Sequence, residues 1–497
     1  MKKMNLLAMS LVSAAALSFS SCSSNDDLTG GGTQSQADGV YMTLKISGAT
    51  SHGTRTSVTD GKTTTDNGSV AESTITEGMM YIYDGPTCVF RKVITKDMFE
   101  TAPTQTTSGV TKPIKVAVTG AITTGKKYDV YFLANRTNVD NPIAATSIFT
   151  STTGGADFAT DNKFVMFNQN DGTKAAAHSK VEFTDAAKSD KSPAAADEIK
   201  LDRVVARIDN PSFDESVKTV TPAENTTTSI NVADVVAGIS YEGFAVSNLN
   251  NNSYVMQNWD TKFKTLNVKW GEPKYSLPKS DYGTLYNAAG LVNFSSKENP
   301  VSWKYAFENT TTDVNDATAV YFKVKVALTE TANNASDFKD GTFYRYDGRL
   351  YTSIQAIYND AATGAISNPF TETSSITPAD VVAKISDADG KLTTDEAKLA
   401  QFRQDYKIEV YRQGVMYYRW AISDNAYKQF IASETTHTYS VLRNSIYRLK
   451  VTKVSEIGKD VPNGPEPDDP VKNPNFYMNV TVSINPWVLN AQPIELK

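Results

Sequence analysis

Residues 40–47 read VYMTLKIS, with Val40, Met42, Leu44 and Ile46 alternating against Tyr41, Thr43, Lys45 and Ser47. A period of two residues turns the apolar side chains to one side, as in a strand with one dry face and one wet face. The same pattern recurs at the other end of the chain. Residues 41–47 (YMTLKIS) and 477–483 (YMNVTVS) align so that Val40 pairs with Phe476, Met42 with Met478, Leu44 with Val480 and Ile46 with Val482. Ile484 extends the second apolar row by one position. Between these two segments lie further short strand candidates at 79–83, 114–118, 128–133, 204–208, 319–327, 407–412, 416–421 and 447–454. Polar, turn-rich connections separate them, which points to an all-β sandwich architecture and away from parallel α/β folds.

The one helical signal comes late, where Thr377 precedes Pro378, and Val381, Val382 and Ile385 share a face. A second helix is expected over 394–406. Between the two, Asp387, Asp389, Gly390 and Glu396 fit positions 3, 5, 6 and 12 of a calcium loop, but position 1 is Ile385. Without that first carboxylate the segment reads as a helical hairpin insertion and not as a calcium site.

Composition narrows the function. The 49 Lys plus Arg against 55 Asp plus Glu leave a net charge of -6 over 497 residues, so no basic field exists to hold phosphate backbones, and no nucleic-acid partner is expected. Two cysteines, Cys22 and Cys88, and three histidines, His52, His178 and His437, give metal chemistry little to work with. No metal site and no cofactor are expected. The sequence contains no GxSxG elbow, HExxH helix or GxxxxGK[ST] phosphate loop. Cys88 and His437 read as packing and turn residues, and Trp303, Trp420 and Trp487 sit in strand-like contexts where burial is the default. No catalytic residue is assigned, and the chain is read as a non-enzyme.

The N-terminus reads as an address. Lys2 and Lys3 precede an apolar run from Leu6 to Phe19, too short to span a bilayer and suited to a secretory signal. Small Ser20 and Ser21 lead into Cys22, which would carry lipid once residues 1–21 are removed. This site resembles a bacterial lipobox in which Phe19 stands where leucine is usual, and Ser23 to Asp27 is similar to the acidic export tags of Bacteroides-type lipoproteins. The stretch from Leu28 to Asp38 is rich in Gly, Thr, Gln and Ser and reads as a tether.

Residues 439–451, YSVLRNSIYRLKV, with Ile457 and Gly458, resemble the C-terminal signature of the fimbrillins, the major fimbrial subunits of Bacteroides-type bacteria and the stalk pilins of type V pili. LDRVVARI at 201–208, YAFENT at 305–310, FYRYDGRLY at 343–351, YRQGVMYY at 411–418, and Ile484, Pro486 and Trp487 resemble that family in the same order. The resemblance implies two transthyretin-like β-sandwich domains; the helical insertion at 377–406 falls in the second and has no counterpart in the resemblance. It also implies a lipoprotein precursor of the outer membrane that is cut by an arginine-specific protease and polymerised by strand exchange into a surface fimbrium serving adhesion and biofilm formation. Its partners would be identical subunits together with anchor and tip subunits, and it would touch the outer membrane only as the lipidated precursor.

On this reading residues 22–55 are a propeptide holding the removable first strand, 56–212 one sandwich, 213–472 the second with its insertion at 377–406, and 473–497 the donor strands. Arg55 is the first arginine of the chain and lies in a polar loop after the 40–47 strand, where proteases cut, so cleavage is expected between Arg55 and Thr56. Val40, Met42, Leu44 and Ile46 are then the displaced row, and Phe476, Met478, Val480, Val482 and Ile484 the replacing row. Two alternatives stand beside this. One is a non-polymerising surface lipoprotein, a fimbrial anchor or an accessory adhesin binding host glycan or protein. The other is a surface glycosidase on a sandwich scaffold, for which no carboxylate pair stands out.

Overall fold

A computed structural model describes residues 39–48, 68–69, 71–100, 113–170, 179–221, 230–258, 295, 301–314, 316–370, 376–424, 439–462 and 478–486. Within these residues the chain is all-β with a few short helices. The first strand, Val40–Leu44, is central in a three-stranded sheet, antiparallel to Ile114–Val118 on one side and parallel to Ala194–Ala195 on the other. The strand is interrupted at exposed Lys45 and the chain continues as Ile46–Gly48, which joins the edge of a second sheet beside Ile199–Arg203. That second sheet continues through Met166–Asn168, Lys127–Ala134, Gly78–Asp84 and Thr87–Ile94. The inward rows of both sheets form one hydrophobic core, including Met42, Leu44, Val116, Tyr81, Phe132 and Leu201, so the leading segment serves both layers of a sandwich.

Handover to the second sandwich is abrupt. Ile199–Arg203 belongs to the first set of sheets, Val204 and Val205 are buried in its core, and Ala206–Asp209 already pairs with Ser445–Val454 and Trp303–Ala306. Of the strand expected at 204–208, residues 206–208 lie in Ala206–Asp209, while 204 and 205 form the bend that follows Ile199–Arg203. In the second sandwich the other layer is Val236–Ser247, Ala319–Leu328 and Val415–Ala421. Its core includes Phe244, Phe322, Val324, Tyr447, Leu449 and Val451.

A third apolar cluster is helical, and it begins upstream of residue 377. Helix Ile354–Ala362, absent from the sequence reading, packs Ile354 and Ile357 with Val381, Leu399 and Phe402 of helices Pro378–Lys384 and Glu396–Tyr406. Thr377 caps as expected: its hydroxyl accepts from the Asp380 N–H, and the Asp380 carboxylate accepts from the Thr377 N–H at 2.9 Å. The loop between these helices is a turn in which Asp387 Oδ1 accepts from the N–H groups of Asp389 and Lys391 at 2.9 and 2.8 Å.

Candidate functional site

The leading strand sits in a cradle made for it. Its register sets Val40 opposite Val118, Met42 opposite Val116 and Leu44 opposite Ile114. On the parallel side the Ala196 N–H donates to the Thr43 carbonyl at 3.1 Å, and the Ile199 N–H donates to the Lys45 carbonyl at 2.8 Å. Val40, Met42, Leu44 and Ile46 are all buried, as the alternation requires. Burying such side chains stabilises by ~1.5 to 3 kcal/mol each, so the row contributes roughly 6 to 12 kcal/mol before ordering entropy. Extracting this segment would uncover a core and leave two bare strand edges, one on Ile114–Val118 and one on Ala194–Ala195 with Ile199–Arg203.

The last strand, Met478–Pro486, lies elsewhere. It runs antiparallel to Ser445–Val454, with Met478 opposite Val454, Val480 opposite Val451, Val482 opposite Leu449 and Ile484 opposite Tyr447. Its register spans the same residues that Ala206–Asp209 and Ser212–Phe213 pair with, so it occupies the opposite edge of that strand. The proposed displaced and replacing rows thus belong to different sheets of one chain and are not brought together. Cys22, Arg55, Thr56 and Phe476 lie outside the described residues.

A feature that sequence reasoning missed pins the chain downstream of the leading strand. Ser69 and Glu72 form a tight turn in which the Ser69 N–H donates to Glu72 Oε2 at 2.6 Å. The fully buried Glu72 carboxylate also accepts from Arg207 Nη1, at 3.1 Å to each oxygen, and from the Tyr305 hydroxyl at 2.8 Å. Arg203 donates from Nε to the Glu72 carbonyl at 2.8 Å, from Nη2 to Ser73 Oγ at 3.0 Å and from Nη1 to Asn444 Oδ1 at 3.2 Å. Burial pushes the Arg203 guanidinium down to about 9, with Glu72 and Asp202 opposing that shift, so it remains a cation at neutral pH. Burial also works against the Arg207 charge, but Asp209 and Glu72 outweigh it and hold its pKa above the ordinary value. The turn at 69–73, the crossing strands at 199–209 and the second sandwich are therefore bolted together by one polar network. A second bolt joins Arg443 Nη2 to Glu308 Oε2 at 2.8 Å and Arg443 Nη1 to the Val255 carbonyl at 2.9 Å.

Half-buried Cys88 packs against the first core, and its thiol donates to the Phe90 carbonyl at 3.5 Å. Trp303, expected inside, is 37% exposed and lies over the Arg207 guanidinium at 4.9 Å. Its strand is a sheet edge, which is why alternation alone misplaced it. Among the described residues no cluster of three or more His, Cys, Asp or Glu could hold a metal, and no helix is long and apolar enough to cross a membrane.

Residues 409–493 match the family described as major fimbrial subunit protein type IV, fimbrillin, C-terminal. No curated protein matches the chain. Among solved structures it is similar to a fimbrilin (fimA) from Porphyromonas gingivalis W83, at 15% identity over 91% of this chain and 99% of that one, TM-score 0.40. It is also similar to the tip fimbrial protein Mfa3 of Porphyromonas gingivalis with C-terminal truncation, at 11% identity over 90% of this chain and 100% of that one, TM-score 0.34. A fimbrial assembly protein from Parabacteroides distasonis shares 12% identity over 84% of this chain and 93% of that one, TM-score 0.32.

Proposed function

We propose that this chain, of the fimbrillin family by its C-terminal region, is a structural subunit of a surface fimbria. It is exported as a precursor lipidated at Cys22 and anchored in the outer membrane, and an arginine-specific protease cuts it between Arg55 and Thr56. Cleavage frees the segment that carries Val40, Met42, Leu44 and Ile46. A neighbouring copy then inserts Phe476, Met478, Val480, Val482 and Ile484 into the vacated cradle. Anchor and tip subunits would close the two ends of the polymer, and adhesion and biofilm formation are its service to the cell.

One observation supports this reading: the leading strand is central in its sheet with Val40, Met42, Leu44 and Ile46 buried, and residues 477–483 repeat its alternation. A strand-shaped groove with two bare edges accepts one extended peptide of matching period, which is recognition by strand addition. The second reading, a non-polymerising surface lipoprotein, draws on the fact that the last strand is already seated in its own chain's sheet. Arg55→Ala separates the two. The expected result is a lipid-bearing subunit that stays at the cell surface without filaments, while wild type yields a mature chain of 442 residues (497 minus 55) beginning at Thr56. Filaments of normal length from Arg55→Ala would refute the cleavage-gated polymer and leave the lipoprotein reading in place.

A further inference from the structure

After Arg55 the chain carries eleven arginines, from Arg91 to Arg448, and every one of them lies among the described residues. Each is buried or partly buried. Arg203, Arg207, Arg403 and Arg443 are inside, and Arg403 donates to Asp460 at 3.2 Å and to Glu409 at 2.9 Å within the helical cluster. Arg345 stands in Phe343–Tyr346, the middle strand of a three-stranded sheet. Arg419, in Val415–Ala421, donates to the Val314 and Ala317 carbonyls at 2.6 and 3.3 Å. Arg91 and Arg448 are strand residues paired with Asp140 and Asp209. Three arginines stand nearer to turns, and each has its guanidinium engaged. Arg136 lies over the Phe158 ring at 4.4 Å, Arg349 faces Asp360 at 3.8 Å, and Arg412 faces Glu396 at 3.5 Å.

Lysine is distributed the opposite way. Lys126, Lys163, Lys191, Lys339, Lys391 and Lys407 are exposed and lie between regular elements. From 208 to 344 the chain has no arginine, while lysine recurs from Lys218 to Lys339. A planar guanidinium with five donors suits buried pairs, which accounts for arginine inside. It does not account for the lack of arginine in exposed turns among the described residues, where either cation serves solubility. What separates the two side chains there is recognition by a protease. An endopeptidase takes its substrate as an extended peptide, and exposed turns are where a folded chain opens at least cost. Resting on the reading that Arg55 is the processing site, we infer that the mature chain is shielded from the arginine-specific protease that produces it. Lysine holds the exposed turns, and arginine is confined to elements that hold both its backbone and its guanidinium. One enzyme can then cut after Arg55 without degrading the product.

The test is cleavage of the folded full chain, isolated with Arg55 uncut, by a purified arginine-specific endopeptidase and in parallel by a lysine-specific one. The arginine enzyme is expected to leave one stable product beginning at Thr56, with the eleven later arginines cut at least ~100-fold more slowly than in the same chain unfolded in urea. The lysine enzyme is expected to fragment the folded chain at its exposed turns. Lys191→Arg and Lys391→Arg keep the charge, and each should add one new cut by the arginine enzyme, at the substituted position. An unchanged set of lysine-enzyme cuts elsewhere in those variants separates a newly presented site from a lost fold. Rapid cutting of the folded wild type at any of the eleven arginines would overturn the inference, as would variants as resistant as wild type. If the Thr56 product forms together with interior cuts, shielding falls and the processing reading stands. If the interior stays whole but no Thr56 product forms, shielding holds and Arg55 falls as the processing site.

Discussion

Glu72→Ala is expected to destabilise the fold by about 3 to 5 kcal/mol, the range for removing one partner of a buried ion pair and leaving the other charge uncompensated. The loss is large because four groups converge on one carboxylate. Arg207 and Tyr305 would lose their acceptor, the Ser69 N–H its cap, and Arg203 a favourable charge close to its own buried guanidinium. Asp209 would still neutralise Arg207 in part, through Nε at 2.7 Å. A surface comparison sets the scale: Lys180 and Asp129 meet at 2.9 Å, but the lysine is half exposed, and breaking such a pair costs under about 1 kcal/mol. Urea midpoints of the Glu72→Ala and Asp129→Ala variants measure the two side by side. Equal shifts would show that the network at 69–73 does not hold the two sandwiches together.

Deleting residues 474–497 is expected to abolish filaments while the subunit is still exported and cut. The truncated chain keeps its own leading strand until cleavage, so the first sandwich folds with Val40, Met42, Leu44 and Ile46 in place. It loses the cover on Ser445–Val454, whose other edge remains paired with Ala206–Asp209 and Ser212–Phe213, so the second core persists at reduced stability. What it lacks is any segment to offer a neighbour. Cleaved subunits with a β-rich circular dichroism spectrum and no filaments by electron microscopy are the predicted outcome, and normal filaments would sink the assignment of the replacing row.

Local alternation and capping were legible in the sequence; long-range polar pairing was not. VYMTLKIS announced a half-dry strand, and the Thr377 and Pro378 pair announced a helix start, because each signal lies within one element. Helix Ile354–Ala362 escaped because Ile and Tyr also suit strands, although Ser353 as cap and the spacing of Ile354, Ile357 and Ala361 were available signals. The continuous apolar run Val204 to Ala206 hid the change of sheets, since unbroken apolar residues carry no period from which to read a boundary. Glu72 finds Arg207 and Tyr305 more than 130 residues away. Nothing in a single sequence marks that pairing beyond the oddity of two arginines in the mostly apolar run LDRVVARI. The two matching strands were found by their pattern, but that pattern gave no hint that the last one rests in a sheet of its own chain.

The central claim is that a neighbour's last strand takes the place of the leading one, and its register names a disulfide. Met42 lies opposite Val116, and Met478 is the counterpart of Met42 in the alignment. Two copies in a Cys88→Ser background, one carrying Val116→Cys and the other Met478→Cys, are to be co-assembled and oxidised. The account predicts disulfide-linked dimers joining one copy of each kind within filaments, and filaments free of that crosslink would contradict it.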